Sequence, residues 1–230
     1  MEFLNAKEIK KWDQWCCLIY SEPGKGKTTM VRSLEGKTIV LSIDGMYSVL
    51  SGLDDVVIVT IDPKDPNTEL ESFIKKMWVS LDKFDNIVID NLSTFQKTWL
   101  NSMGNKTKSG MPELRDYGVV DRILFELVNE LKGMGKNVLL FAHEKKVEIV
   151  REGGGVYTQS QPDIRNLDAI MGIIPLVGRL VIHTDSKTQE KERIIVLQPT
   201  QSTRAKDQLI GDLQTIGQME LLPKLKGENK

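Results

Sequence analysis

Nine consecutive residues, Ser21-Glu22-Pro23-Gly24-Lys25-Gly26-Lys27-Thr28-Thr29, have the order of a loop that wraps phosphate. Closing backbone around an anion needs residues without a bulky Cβ, so that amide N–H groups converge on the oxygens. Gly24 and Gly26 supply them. Lys27 then reaches the β- and γ-phosphates of a nucleoside triphosphate, Thr28 offers its hydroxyl to Mg²⁺, and Thr29 meets the α-phosphate. Pro23 and Lys25 complete the cofactor-binding stretch. The usual first glycine of G-x-x-x-x-G-K-T is Ser21 here, a small residue at the position that opens the loop. The bland alternative, a Gly/Lys-rich surface turn, is disfavoured by context. An apolar run, Trp15–Tyr20, precedes the loop as a strand should, and Lys27–Leu34 reads as a helix closed by Gly36.

A second motif supplies a carboxylate. Asn86-Ile87-Val88-Ile89-Asp90 is an apolar strand ending in aspartate, the Walker B pattern, and Asp90 would hold Mg²⁺ opposite Thr28 through a coordinated water. Many ATPases place a catalytic glutamate next; this chain has Asn91, which cannot accept a proton. The water-orienting carboxylate must then come from elsewhere. Asp44, ending the strand Thr38–Ile43, is the first candidate, since a neighbouring parallel strand delivers it to the same sheet edge. A turn-forming aspartate before Gly45 is its competing reading, and Glu144 is the reserve. His143, directly after the apolar run Val138–Ala142, should emerge at that edge too, placed to sense a γ-phosphate.

These groups need a scaffold. Apolar runs at 15–20, 38–43, 56–61, 87–90 and 138–142 alternate with helical periodicities at 69–82, 93–103 and 119–131. That alternation predicts an α/β fold, a mostly parallel sheet with helices on both faces. Thr68 and Glu71 have the spacing of a capping box for the helix at 69–82. Two hairpins are expected later. One joins Val147–Arg151 to Val156–Gln159 across Gly153–Gly155, the other joins Arg179–Thr184 to Arg193–Leu197 around Ser186-Lys187-Thr188-Gln189. No linker or repeat divides residues 1–230, which read as one domain. Lys+Arg (31) and Asp+Glu (32) nearly cancel, so any polyanion site must be a local patch. The longest apolar stretch, Ile170–Val177, is too short for a bilayer, and the charged N-terminus lacks a signal-peptide core. Adjacent Cys16 and Cys17 suggest reduced core thiols in a cytoplasmic protein.

Taken in order, Y-S-E-P-G-K-G-K-T-T (20–29), L-S-I-D-G (41–45), I-V-I-D-N (87–91), R-D-Y-G (115–118), L-L-F-A-H-E (139–144) and R-A-K-D-Q (204–208) resemble phage-encoded RecA-core ATPases. These are the AAA-type phage nucleotide-binding proteins, among them single-strand-annealing recombinases. The resemblance covers about residues 14–215. It implies a RecA-like core, ATP and Mg²⁺ as cofactors, and Asp44 at the position of the family's catalytic carboxylate, usually Glu. It also makes Lys206 a candidate finger acting across a subunit boundary, with Arg204 replacing an arginine that is Gln208 here. A solvated basic turn is the competing reading for both.

The same resemblance implies a homo-oligomer, ring or filament, binding single-stranded DNA, with a single-strand-binding protein as a possible partner. Lys97, Lys106, Lys108 and Arg115 stand against one acid, Glu113, and Lys145, Lys146 and Arg151 flank Tyr157, a surface for base stacking. The resulting expectation is an ATP- and Mg²⁺-dependent phage ATPase supporting strand annealing in the host cytoplasm. Its alternative is a nucleotide-gated assembly switch with little turnover, suggested by Ser21, Asp44, Asn91 and Gln208. A small-molecule kinase lacks an arginine-rich lid segment.

Overall fold

Every residue of three strands is buried: β1 (Cys16–Ser21), β2 (Thr38–Ser42) and β4 (Asn86–Asp90). Such strands belong inside a sheet covered on both sides, which is why they read as continuous apolar runs rather than as alternation. The computed structural model describes residues 14–151, 153–184 and 189–226. The remaining elements are β3 (Val56–Thr60), α1 (Pro66–Val79), α2 (Leu92–Gly104), α3 (Leu114–Gly133), β5 (Asn137–Val150), β6 (Val156–Pro162) and α4 (Leu167–Ile173). After these come β7 (Leu176–Thr184), β8 (Lys191–Val196), β9 (Lys206–Asp207), β10 (Thr215–Gly217) and α5 (Leu221–Leu225).

Among the described residues these strands form one sheet in the order β10-β8-β7-β1-β5-β4-β2-β3, with β6 on β5 and β9 on β7. The run from β7 to β3 is parallel, and the C-terminal strands add antiparallel pairs. Alternate residues of each central strand serve opposite cores. Leu18, Tyr20, Leu41 and Ile89 pack under α1, α2, α3 and α4. Cys17, Ile19, Val40 and Val88 pack with Met30, Val31, Ile195, Ile216 and the three leucines of α5. Burial pushes the Cys16 thiol up to about 12, so it is an inert core side chain. No described helix is long and apolar enough to cross a membrane.

Three local expectations are corrected. The helix expected at 27–34 is a 3-10 segment, Thr28–Ser33, with Lys27 before it. Two threonines and a valine among six residues lose side-chain freedom in an α-helix, and the segment stays short. Helix α1 starts at Pro66 after Asp65, so Thr68 and Glu71 lie inside it and form no capping box. That device belongs to α3, where Glu113 and Asp116 cap one another's backbone. Finally, β5 does not stop at Ala142. It runs for 14 residues through His143, leaving its parallel neighbours to pair antiparallel with β6. Both hairpins form; residues 186–188 of the second turn lie outside the described residues.

Candidate nucleotide site

Parallel register delivers the motifs to one edge. Ser21 pairs with His143, Ser42 with Asp90, and Asp44 follows two residues beyond β2. The loop leaving β1 turns on Gly24 (φ +76°) and Gly26 (φ +101°), the left-handed region that glycine adopts without a Cβ penalty. A Cβ on Gly24 would meet nothing within 4 Å, so that side of the loop is open to a ligand.

Lys27 is only 7% exposed. Its ammonium donates to Ser21 O (3.2 Å), Ser21 Oγ (3.1 Å) and Glu22 O (3.5 Å), none of which cancels its charge. Burial pulls its pKa below the ordinary lysine value, against the opposing pull of Asp90, Asp44 and Glu144. Ser21 is therefore more than a small opener, because its hydroxyl is one of the lysine's acceptors. Thr28 Oγ1 donates to Asp90 Oδ2 at 2.6 Å. The two groups assigned to the metal thus already touch. Asp90 is 2% exposed, and burial lifts its carboxyl to about 6, with Asp44 adding to the rise and Thr28 and Lys27 opposing it. A buried ammonium bonded only to neutral oxygens, a glycine-turned open loop and a hydroxyl–carboxylate pair fit a magnesium-bound triphosphate. Lys27, the loop amides and Thr28 would hold the phosphates, with Thr28 and Asp90 on the metal. Thr29 follows, half-buried, in the 3-10 segment, while Pro23 is exposed and Lys25 pairs weakly with Glu22.

Asp44, Asn91 and His143 come together. Asn91 is fully buried and caps α2, its Oδ1 accepting from Thr94 N at 2.8 Å. That bond fixes the orientation of the amide, so Nδ2 faces Asp44 Oδ2 (2.9 Å) and His143 Nε2 (3.3 Å). Because Nδ2 only donates, His143 accepts at Nε2 and its neutral ring carries hydrogen on Nδ1. Nδ1 is buried and has no partner among the described residues. Desolvation, then the Lys27 charge, lowers the His143 pKa and keeps the ring neutral. Ser93 Oγ accepts from the His143 backbone N–H at 2.9 Å and holds the strand there. Local sequence marks Asn91 only as a lost base, because its junction role depends on contacts with residues 47 and 52 positions away.

Other candidates lie elsewhere. Glu144 is bound twice by Arg179 (3.0 and 2.9 Å) with its side chain 2% exposed, so the reserve carboxylate is a structural partner. Lys206 pairs with Val177 in the sheet, and its ammonium donates to Met171 O and Gly172 O at the end of α4, away from its own chain's loop. Arg204 pairs with Asp168. The basic cluster is largely engaged: Lys97 and Lys145 with Asp163, Lys146 with Glu22, Arg115 with Glu113. Arg151 lies over the Tyr157 ring, covering a stacking face.

Comparison with known proteins agrees with this geometry. No curated protein matches the chain. A family model described as an AAA domain matches residues 13–209, most of the sequence. With a phosphate loop on β1 and a carboxylate on β4 converging at one sheet edge, the chain belongs to the AAA-domain family of P-loop ATPases.

Proposed function

We propose that the protein hydrolyses ATP with Mg²⁺ and couples this to single-stranded DNA in a homo-oligomer that supports phage recombination or annealing. The observation that carries the catalytic part is the convergence of Lys27, the Thr28–Asp90 pair and the Asp44–Asn91–His143 chain on one edge. Bound Mg²⁺ would supply charge neutralisation on the β- and γ-phosphates. Lys27 adds fixed positive charge where the transferring group becomes negative, and burial strengthens it. Asp44, held by Asn91 on one oxygen and by Met46 N on the other, orients the attacking water. His143 stands at the same edge as the γ-phosphate sensor, and the Asn91 amide links its ring to Asp44.

The DNA part rests on exposed loops. Lys106 and Lys108 are exposed between α2 and α3, and the β5–β6 hairpin presents Val150 and Val156 to solvent. A switch with little turnover is the second reading, favoured by the engagement of both Asp44 oxygens and by Asn91 in place of a glutamate. Phosphate release with and without an oligonucleotide tests both. DNA-stimulated release that Lys27→Ala abolishes supports the ATPase. Nucleotide binding without release supports the switch. Full release by Lys27→Ala removes the site assignment.

A further inference from the structure

The phosphate loop of this chain is held from outside, by its C-terminal edge. An α-helix after the loop would ordinarily fix its geometry through its first turns, yet here six residues of 3-10 helix follow Lys27. What packs on that segment is α5, whose Leu221, Leu222 and Leu225 are buried with Met30 and Val31. Beside it, β8 and β10 pair antiparallel, with Ile195 opposite Ile216. Both isoleucines face the same core. Two positions along the ladder, Gln218 N donates to Arg193 O at 2.9 Å. Side chains two residues apart share a sheet face. Arg193 and Gln218 therefore stand as a cross-strand pair above the anchored isoleucines, over the loop.

Both reach it. Arg193 Nε donates to Lys25 O at 3.1 Å, and Gln218 Nε2 donates to Gly26 O at 2.6 Å. A Cβ on Gly26 would lie 3.0 Å from Gln218 Nε2 and 3.2 Å from Arg193 Nε. Gly26 thus serves two needs, its positive φ and the room for this pair. A loop that cradles phosphate must turn its carbonyls outward so that its amides point in. Donors that occupy the carbonyls of two consecutive residues impose that arrangement before any ligand arrives.

We propose that Arg193 and Gln218 are positioning residues that preorganise the phosphate loop, and that nucleotide binding and the order of the β10–α5 edge are coupled through them. Resting on the nucleotide-binding reading above, it goes beyond that reading by adding residues no motif contains. A preformed loop has less ordering cost at binding, so loss of the clamp weakens affinity rather than chemistry. By reciprocity, a bound nucleotide tightens the clamp and protects the strand and helix that carry it.

The test uses the full-length protein and fluorescent ADP with Mg²⁺. Gln218→Met keeps size and neutrality but removes the donor, while Arg193→Lys keeps the charge and moves the donor. Each should weaken binding about fivefold, and the pair of changes by more than tenfold. Apparent KM for ATP should rise in parallel while turnover at saturation stays within about twofold. Hydrogen exchange at Ile216–Leu225 should slow on nucleotide addition in the parent protein, and this protection should shrink in the double variant. Parent-like affinity in both single variants, or unchanged protection in the double variant, overturns the clamp while leaving nucleotide binding intact. A parent protein that binds no nucleotide overturns both readings.

Discussion

Asn91 holds Asp44 by a 2.9 Å bond from Nδ2 to Oδ2, made possible because the other end of the same amide caps α2. A residue that replaces a common catalytic glutamate is thereby the fixture that aims the remaining carboxylate. The same nitrogen sets the tautomer of His143.

Asp44→Asn is nearly isosteric and sits at a half-buried position, so folding should be preserved. Removing a carboxylate that orients water should lower turnover by about 10²-fold or more, with nucleotide affinity within about threefold. A rate within threefold of the parent would dismiss Asp44 from the reaction.

Asp90 carries a stability cost in the ligand-free protein. Burial raises its pKa from 3.8 to about 6, so the folded state binds more protons than the unfolded state between those values. Stability therefore falls as pH rises through that window, and the full cost is present above pH 6. Asp90→Asn should stabilise the ligand-free protein by about 2–3 kcal/mol at pH 7, an advantage that disappears near pH 4. The same change should abolish Mg²⁺-dependent nucleotide binding. Denaturant midpoints at the two pH values provide the check.

His143 should be neutral at pH 7 with hydrogen on Nδ1, because its pKa is lowered and Nε2 accepts from Asn91. Nitrogen chemical shifts of the labelled ring distinguish the tautomers directly. A protonated ring at pH 7, or hydrogen on Nε2, would contradict the Asp44–Asn91–His143 chain.

Arg179→Ala should destabilise the protein by about 3–5 kcal/mol, since it strands a carboxylate whose side chain is 2% exposed. Glu144→Gln with Arg179→Met should recover much of that loss, because no buried charge remains. Thermal or urea unfolding measures both. Recovery of turnover alongside stability would confirm that Glu144 is not the base.

Much of the site was legible because its chemistry is local. Gly24, Gly26, Lys27 and Thr28 lie within five residues, and Asp90 ends an apolar run that could only be a buried strand. Asp44 and His143 followed from the expectation that parallel strands share an edge. What local reading missed lay in long-range contacts. Arg193 reaches Lys25 across 168 residues of chain and Gln218 reaches Gly26 across 192, with no spacing rule to announce either. The continuation of β5 past Ala142 leaves no local signal, because its outer half is stabilised by backbone bonds to β6, which demand no apolar run.

That unbroken strand makes the molecule a ruler. From His143 to Val150 the chain takes seven extended steps, about 23 Å. The hairpin's end is therefore kept at a set stand-off from the edge that carries Lys27, Asp44 and Asp90, and shortening the strand by two residues would draw it closer without turning its faces over.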